Sequence, residues 1–117
     1  MRKNPTQSVV EYSHAGVGYE LAFDFDAVAT AEDITGRPLL TGLTRKDVDT
    51  PTISLVRAMF FACLLPRQPQ TTFAEAKALV TRETLQAVWG KTLDAWVASL
   101  PEPVEAAPGE NPTEGQS

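Results

Sequence analysis

The sequence predicts an α+β domain: an N-terminal β-hairpin packed on a small bundle of three to four helices, with a disordered C-terminal tail. Three observations carry this. Apolar side chains alternate along residues 17–23, the period of a half-buried strand. Beyond Phe25 the apolar spacing becomes three and four, as on helices. From Pro101 the composition turns to Pro, Glu, Gly and Ala, with little to bury. The 117 residues leave room for one domain. It is expected over residues 9–100, between a flexible lead (1–8) and a disordered acidic tail (101–117).

In "VVEYSHAGVGYELAF" the arms are read as Val9 to Ser13 and Val17 to Phe23, with "HAG" as the turn and Gly16 supplying a positive φ. Asp26 is the expected N-cap of a first helix, in which Val28, Ala31 and Ile34 recur and Gly36 with Pro38 forms the stop. Leu39, Leu40 and Leu43 make an apolar patch in the next loop, and "TRKDVD" reads as a charged surface connection. Thr50 and Pro51 are expected to open a second helix, which ends near Leu65 before Pro66. After the rigid polar loop "PRQPQT", Thr72 and Glu75 have the spacing of a capping box and open a short helix to Val80. Thr81 is the expected cap of a last helix, roughly Arg82 to Leu100. Its apolar arc holds Leu85, Val88, Trp89, Leu93, Trp96 and Leu100, with both tryptophans read as core anchors.

Charge narrows the function classes. The net charge is −5, but four Glu and no base fall within residues 101–117, leaving 10 bases against 11 acids elsewhere. A nearly neutral body with no basic recognition helix argues against nucleic acid. The longest apolar run, Ile53 to Leu65, is interrupted by Arg57 and is shorter than the roughly 20 residues a membrane span needs. No apolar stretch follows Arg2 and Lys3, so no export signal is read, and one cysteine fits a reducing compartment. The expectation is a soluble, cytoplasmic protein.

Candidate chemistry is thin. "FDFDAVATAEDITGRPLL" carries two acid pairs, Asp24/Asp26 and Glu32/Asp33. Aligned on a calcium loop, the stretch places Val28, Ala29 and Thr35 where an oxygen ligand, Gly and Glu belong, so the loop fails. No nucleophile or oxyanion donor accompanies the pair, so Asp24 and Asp26 are read as facing the helix dipole, and Glu32 and Asp33 as solvated charge. His14 stands alone in the hairpin turn, and Cys63 on an apolar helix face reads as a small buried hydrophobe. "GVG" lacks the Lys-Ser/Thr end of a phosphate loop, and Arg45-Lys46 is too small a basic cluster for DNA. No catalytic, cofactor or metal residue is assigned, and the chain is read as a non-enzyme.

The second helix is the most informative element. Ile53, Leu55, Val56, Met59, Phe60, Cys63 and Leu64 fill one broad arc. Arg57, Phe61 and Leu65 fall on a separate line at i, i+4, i+8. A helix apolar on nearly every side is either central to its domain or docks something else. Arg57, Phe61 and Leu65 are accordingly the candidate partner-binding strip, and Phe61→Glu is expected to weaken docking with helix content intact.

The order of these features resembles the phage tail assembly chaperone family, particularly those of gene transfer agents and siphophage-like tails. Phe23, Asp24, Phe25, Asp26 and Ala27 match its aromatic "F-D-F-N/D-A" element, and Thr35, Gly36, Arg37, Pro38 and Leu39 match its "TG-K/R-P-L" stop. The motif match covers residues 19–40, and the order of elements follows the family over about 9–100. The resemblance implies a non-enzymatic protein of the bacterial cytoplasm. Its partners would be the tape measure protein, kept soluble, and tail tube subunits, and it would be absent from the finished particle. It implies no cofactor, nucleic acid or membrane, and leaves self-association open. Many such chaperones are made in two lengths by ribosomal frameshifting, and "PEPVEAAPGENPTEGQS" would suit a hinge into a longer product. A slippery heptamer near the 3′ end of the gene would support that form. A structural virion protein (tail tube, neck or minor tail subunit) is the alternative, although a tube subunit needs more strand than this sequence offers. A regulatory or antitoxin-like adaptor is a third option.

Overall fold

The computed structural model describes residues 9–100. The lead and the tail assigned from sequence lie outside the described residues. Two strands, β1 (Val10–His14) and β2 (Val17–Leu21), precede α1 (Phe25–Thr35), α2 (Arg45–Asp49), α3 (Ile53–Leu64), α4 (Phe73–Leu79) and α5 (Leu85–Ser99). The α+β class is as the sequence predicts, a hairpin packed on helices, with α2 added to the four helices expected.

The strands pair antiparallel from Val10 opposite Leu21 to His14 opposite Val17. His14 therefore closes the ladder instead of sitting in the turn, which holds only Ala15 and Gly16. Both have positive φ, 53° and 81°, the signature of a primed turn whose twist matches that of the strands. Tyr12 is buried, lies 6.4 Å from its cross-strand partner Tyr19, and meets Phe60 of α3 edge-on at 5.9 Å.

The chain leaves β2 and starts α1 earlier than expected. Asp24, not Asp26, is the N-cap: it is extended, and its Oδ1 accepts the Ala27 N–H at 2.7 Å. That shift alternates the two aromatics of the motif. Phe23 turns inward against Trp96, with ring centres 5.1 Å apart, while Phe25 in the first turn is 78% exposed. Gly36, at φ 72°, ends α1 in the left-handed conformation and returns its N–H to the Glu32 carbonyl.

The connection after α1 is more structured than its charge suggested. Thr44 and Asp47 form a capping box that opens α2, and Arg45 reaches Asp49 one turn on. Trp89 of α5 donates its indole N–H to the Val48 carbonyl at 2.9 Å, tying α2 to the body. Thr50 is consequently the last cap of α2, and Thr52 caps α3 by accepting the Leu55 N–H. The sequence-based start at Thr50-Pro51 is corrected by two residues, because the backbone of Thr50 is already committed to Lys46. At α5 the helix begins at Leu85. Thr81 and Thr84 each accept the other's N–H and form a separate turn ahead of it.

Helix α3 is the hub, packing on α1, α4, α5 and β2. Leu55, Val56, Met59, Phe60, Cys63 and Leu64 are buried on it. Trp89 and Trp96 are core residues, as the periodicity of α5 implied. The hairpin is attached to the far end of α3 by polar contacts. Ala22 N–H donates to the Cys63 carbonyl, and Gln68 bonds to both backbone groups of Glu20 while donating to the Leu64 carbonyl.

Candidate partner-binding groove

The predicted strip does not form one open face. Arg57 lies at the edge of α4 and donates Nη2 to the Val80 carbonyl at 3.1 Å. Its Nε is shielded from solvent and has no hydrogen-bond partner among the described residues. Phe61 is half-buried and meets Phe73 of α4 at a ring distance of 5.2 Å. Leu65 caps the other end of α3, where with Asp24, Asp26 and Pro66 it lines a small depression of about 150 Å³. A carboxylate at position 61 would lose the ring contact with Phe73 that helps hold α4 on α3. Phe61→Glu therefore acts on this packing contact as well as on any docking face.

The structure instead places two hollows along the first turns of α3. A cavity of about 440 Å³ lies between the end of α1, the start of α3 and α4, over Ile34, Leu55 and Phe73. A second, of about 340 Å³, lies between α3 and the α4–α5 turn, over Ile53, Val80 and Leu85. Arg57 lines both. Arg37 and Lys77 also face the first and Arg82 the second, and no carboxylate lines either.

These cations differ in availability. Asp47 grips Arg37 through both carboxylate oxygens, and Arg37 also donates to the Gly42 carbonyl at 3.1 Å. A side chain at Gly42 would meet the Pro38 carbonyl oxygen at 2.5 Å, so the tight loop that presents this carbonyl requires glycine. The Arg37 bond and the Thr44 N–H hold the Asp47 carboxyl well below its ordinary range. Lys77 sits over the Phe73 ring, 4.9 Å from its centre. Arg57, Lys77 and Arg82 have no ion-pair partner among the described residues.

The other candidates become structural. Glu32 is not merely solvated: its Oε2 accepts the N–H groups of Leu39 and Leu40, which hold its pKa below the usual value and bind the stop loop to α1. Cys63 is fully buried and donates to the Phe60 carbonyl, and burial pushes its thiol pKa up, so the reactive thiolate is disfavoured. Among the described residues no group of three His, Cys, Asp or Glu could hold a metal ion. No helix there is long and apolar enough to cross a membrane. Of the groove residues, sequence reasoning found Arg57 alone. Lys77 and Arg82 flank the capping signals of Thr72 and Thr81, and only the fold turns them toward α3. Compared with protein-family models, curated proteins and solved structures, the chain matches none.

Proposed function

We propose that this chain is a phage tail assembly chaperone, a non-enzymatic binding protein of the bacterial cytoplasm. It keeps the tape measure protein soluble and brings tail tube subunits to it, and it leaves before the particle is finished. The observation that carries this reading is the pair of motif segments at the two ends of α1. "FDFDA" leaves Phe25 78% exposed beside Asp24 and Asp26. "TGRPL" spends its polar groups on the Glu32 and Arg37 clasps that shape the stop loop. An exposed aromatic at a rigid helix start is a contact anchor with little ordering entropy to lose. The groove along α3 offers a second contact surface on the same small body.

Co-expression with the neighbouring tail genes, followed by pull-down, tests the reading directly. Co-purification of the tape measure protein, with Phe25→Ser weakening capture while the far-ultraviolet dichroism is unchanged, is the expected result. Failure to retain either the tape measure or the tube protein would overturn it. Mass spectrometry of purified particles separates the alternative, because a structural tail subunit would be found there.

A further inference from the structure

The two cavities that share Arg57 make a groove with an apolar floor and a basic rim. Ile53, on its lip, is 55% exposed, while Leu55 and Val80 are buried beneath. Arg57, Lys77 and Arg82 stand around it without a carboxylate among the described residues, on a chain whose net charge is −5. A basic rim on an acidic molecule repels other basic surfaces at this point and selects for acid. Arg57 is the focus. Its guanidinium is half-buried, makes one backbone hydrogen bond among the described residues, and has its Nε withheld from water. A cation held this way gains more from a carboxylate than an exposed one does, because less solvent screens the pair.

We propose that this groove docks an acidic amphipathic segment of a partner protein. Its apolar side chains lie over Ile53, Leu55, Phe73 and Leu85, and its carboxylates face Arg57, Lys77 and Arg82. The volumes, about 440 and 340 Å³, accommodate several side chains at the spacing of a short helix laid in a groove. Nucleic acid is a poor occupant, since three cations on a chain of net charge −5 are too few to hold a phosphate backbone. The preference for acid follows from the groove whether or not the chain serves tail assembly.

Fluorescence anisotropy with the full-length chain tests this, using a labelled amphipathic helix of about 14 residues that carries Leu at i, i+3, i+4 and i+7 with flanking Glu. A matched peptide has Lys in place of each Glu. The Glu peptide is expected to bind about tenfold tighter or more, with the margin shrinking as salt rises from about 50 to about 500 mM. Lys77→Glu with Arg82→Glu should abolish that margin with the dichroism spectrum unchanged, because both side chains are exposed. Equal binding of the two peptides, binding of neither, or a double variant that holds the Glu peptide as the parent does would overturn the proposal. A full-length chain with Glu102, Glu105, Glu110 and Glu114 changed to Gln identifies the competing occupant. Unchanged peptide affinity supports a partner, whereas tighter binding would assign the groove to the chain's own acids and overturn the partner proposal.

Discussion

Ala15 shows how a single residue can carry a local conflict that the rest of the fold tolerates. Its φ of 53° is imposed by the two-residue turn, and an L-residue with a Cβ resists that region by about 1–2 kcal/mol. Asn tolerates the left-handed region better, so Ala15→Asn should stabilise the chain by about 0.5–1 kcal/mol, read as a higher urea midpoint with an unchanged slope. Thr92 is a second such residue. It is fully buried in α5, and among the described residues its hydroxyl faces only the Cys63 thiol, a weak partner that falls short of a full hydrogen bond. Thr92→Val keeps the branched shape and removes the poorly bonded polar atom. It is expected to raise stability by about 1 kcal/mol in thermal unfolding, and a loss of that size would mean the contact with Cys63 is worth more than the cost of burying the hydroxyl. Neither effect was legible beforehand. "HAG" announced a turn, but its register set which residues took positive φ, and Thr92, one turn from Val88 and Trp96, falls within the apolar arc although a polar residue does not announce itself there.

At the level of elements, capping chemistry was the most readable signal and register the least. Thr72 with Glu75 opens α4 as their spacing implied, and Gly36 stops α1. Asp24, Thr52 and Thr84 each displaced the residue expected to cap. Several candidate caps lie within two or three residues of one another, and tertiary contacts choose among them. Helix α2 was hidden because it buries no residue and so leaves no apolar period, although Thr44 and Asp47 have the spacing of a cap. Gln68, within what read as a plain polar loop, imitates a third strand by bonding to both the N–H and the carbonyl of Glu20. Gln68→Ala removes these bonds and one to Leu64, and should cost about 1–3 kcal/mol. Hydrogen exchange is the decisive measurement: protection should fall at Glu20 and along β2 before it falls in α3. Uniform loss everywhere would show that the hairpin and α3 open as one unit.

For the whole molecule, acid should be the sensitive variable. Glu32 and Asp47 both titrate below their ordinary values, near 4.3 and 3.9, because their ionised forms accept bonds from the loop they hold. A depressed folded pKa contributes stability that is complete above the unfolded value and is lost as pH falls through and below it. The urea midpoint should therefore be flat above about pH 5 and fall below it, and Glu32→Gln with Asp47→Asn should flatten the fall while lowering the neutral-pH plateau. An unchanged acid slope in that double variant would locate the acid sensitivity elsewhere.

By itself the sequence determined the α+β class, the order of hairpin and helices, and the burial of Trp89, Trp96 and Cys63. These follow from local periodicity and from residue types that have one favourable environment. It also raised two roles for α3, hub or docking face, and could not choose between them, because an apolar arc does not say what covers it. Tertiary structure decided that α3 is the hub, that Phe61 is partly covered by Phe73, and that Glu32 and Arg37 clasp the loop that follows α1. It also brought Arg57, Lys77 and Arg82 from three elements to one groove. Those side chains are up to 25 residues apart, and only the packing of α4 and the α4–α5 turn against α3 sets the distances between their charges.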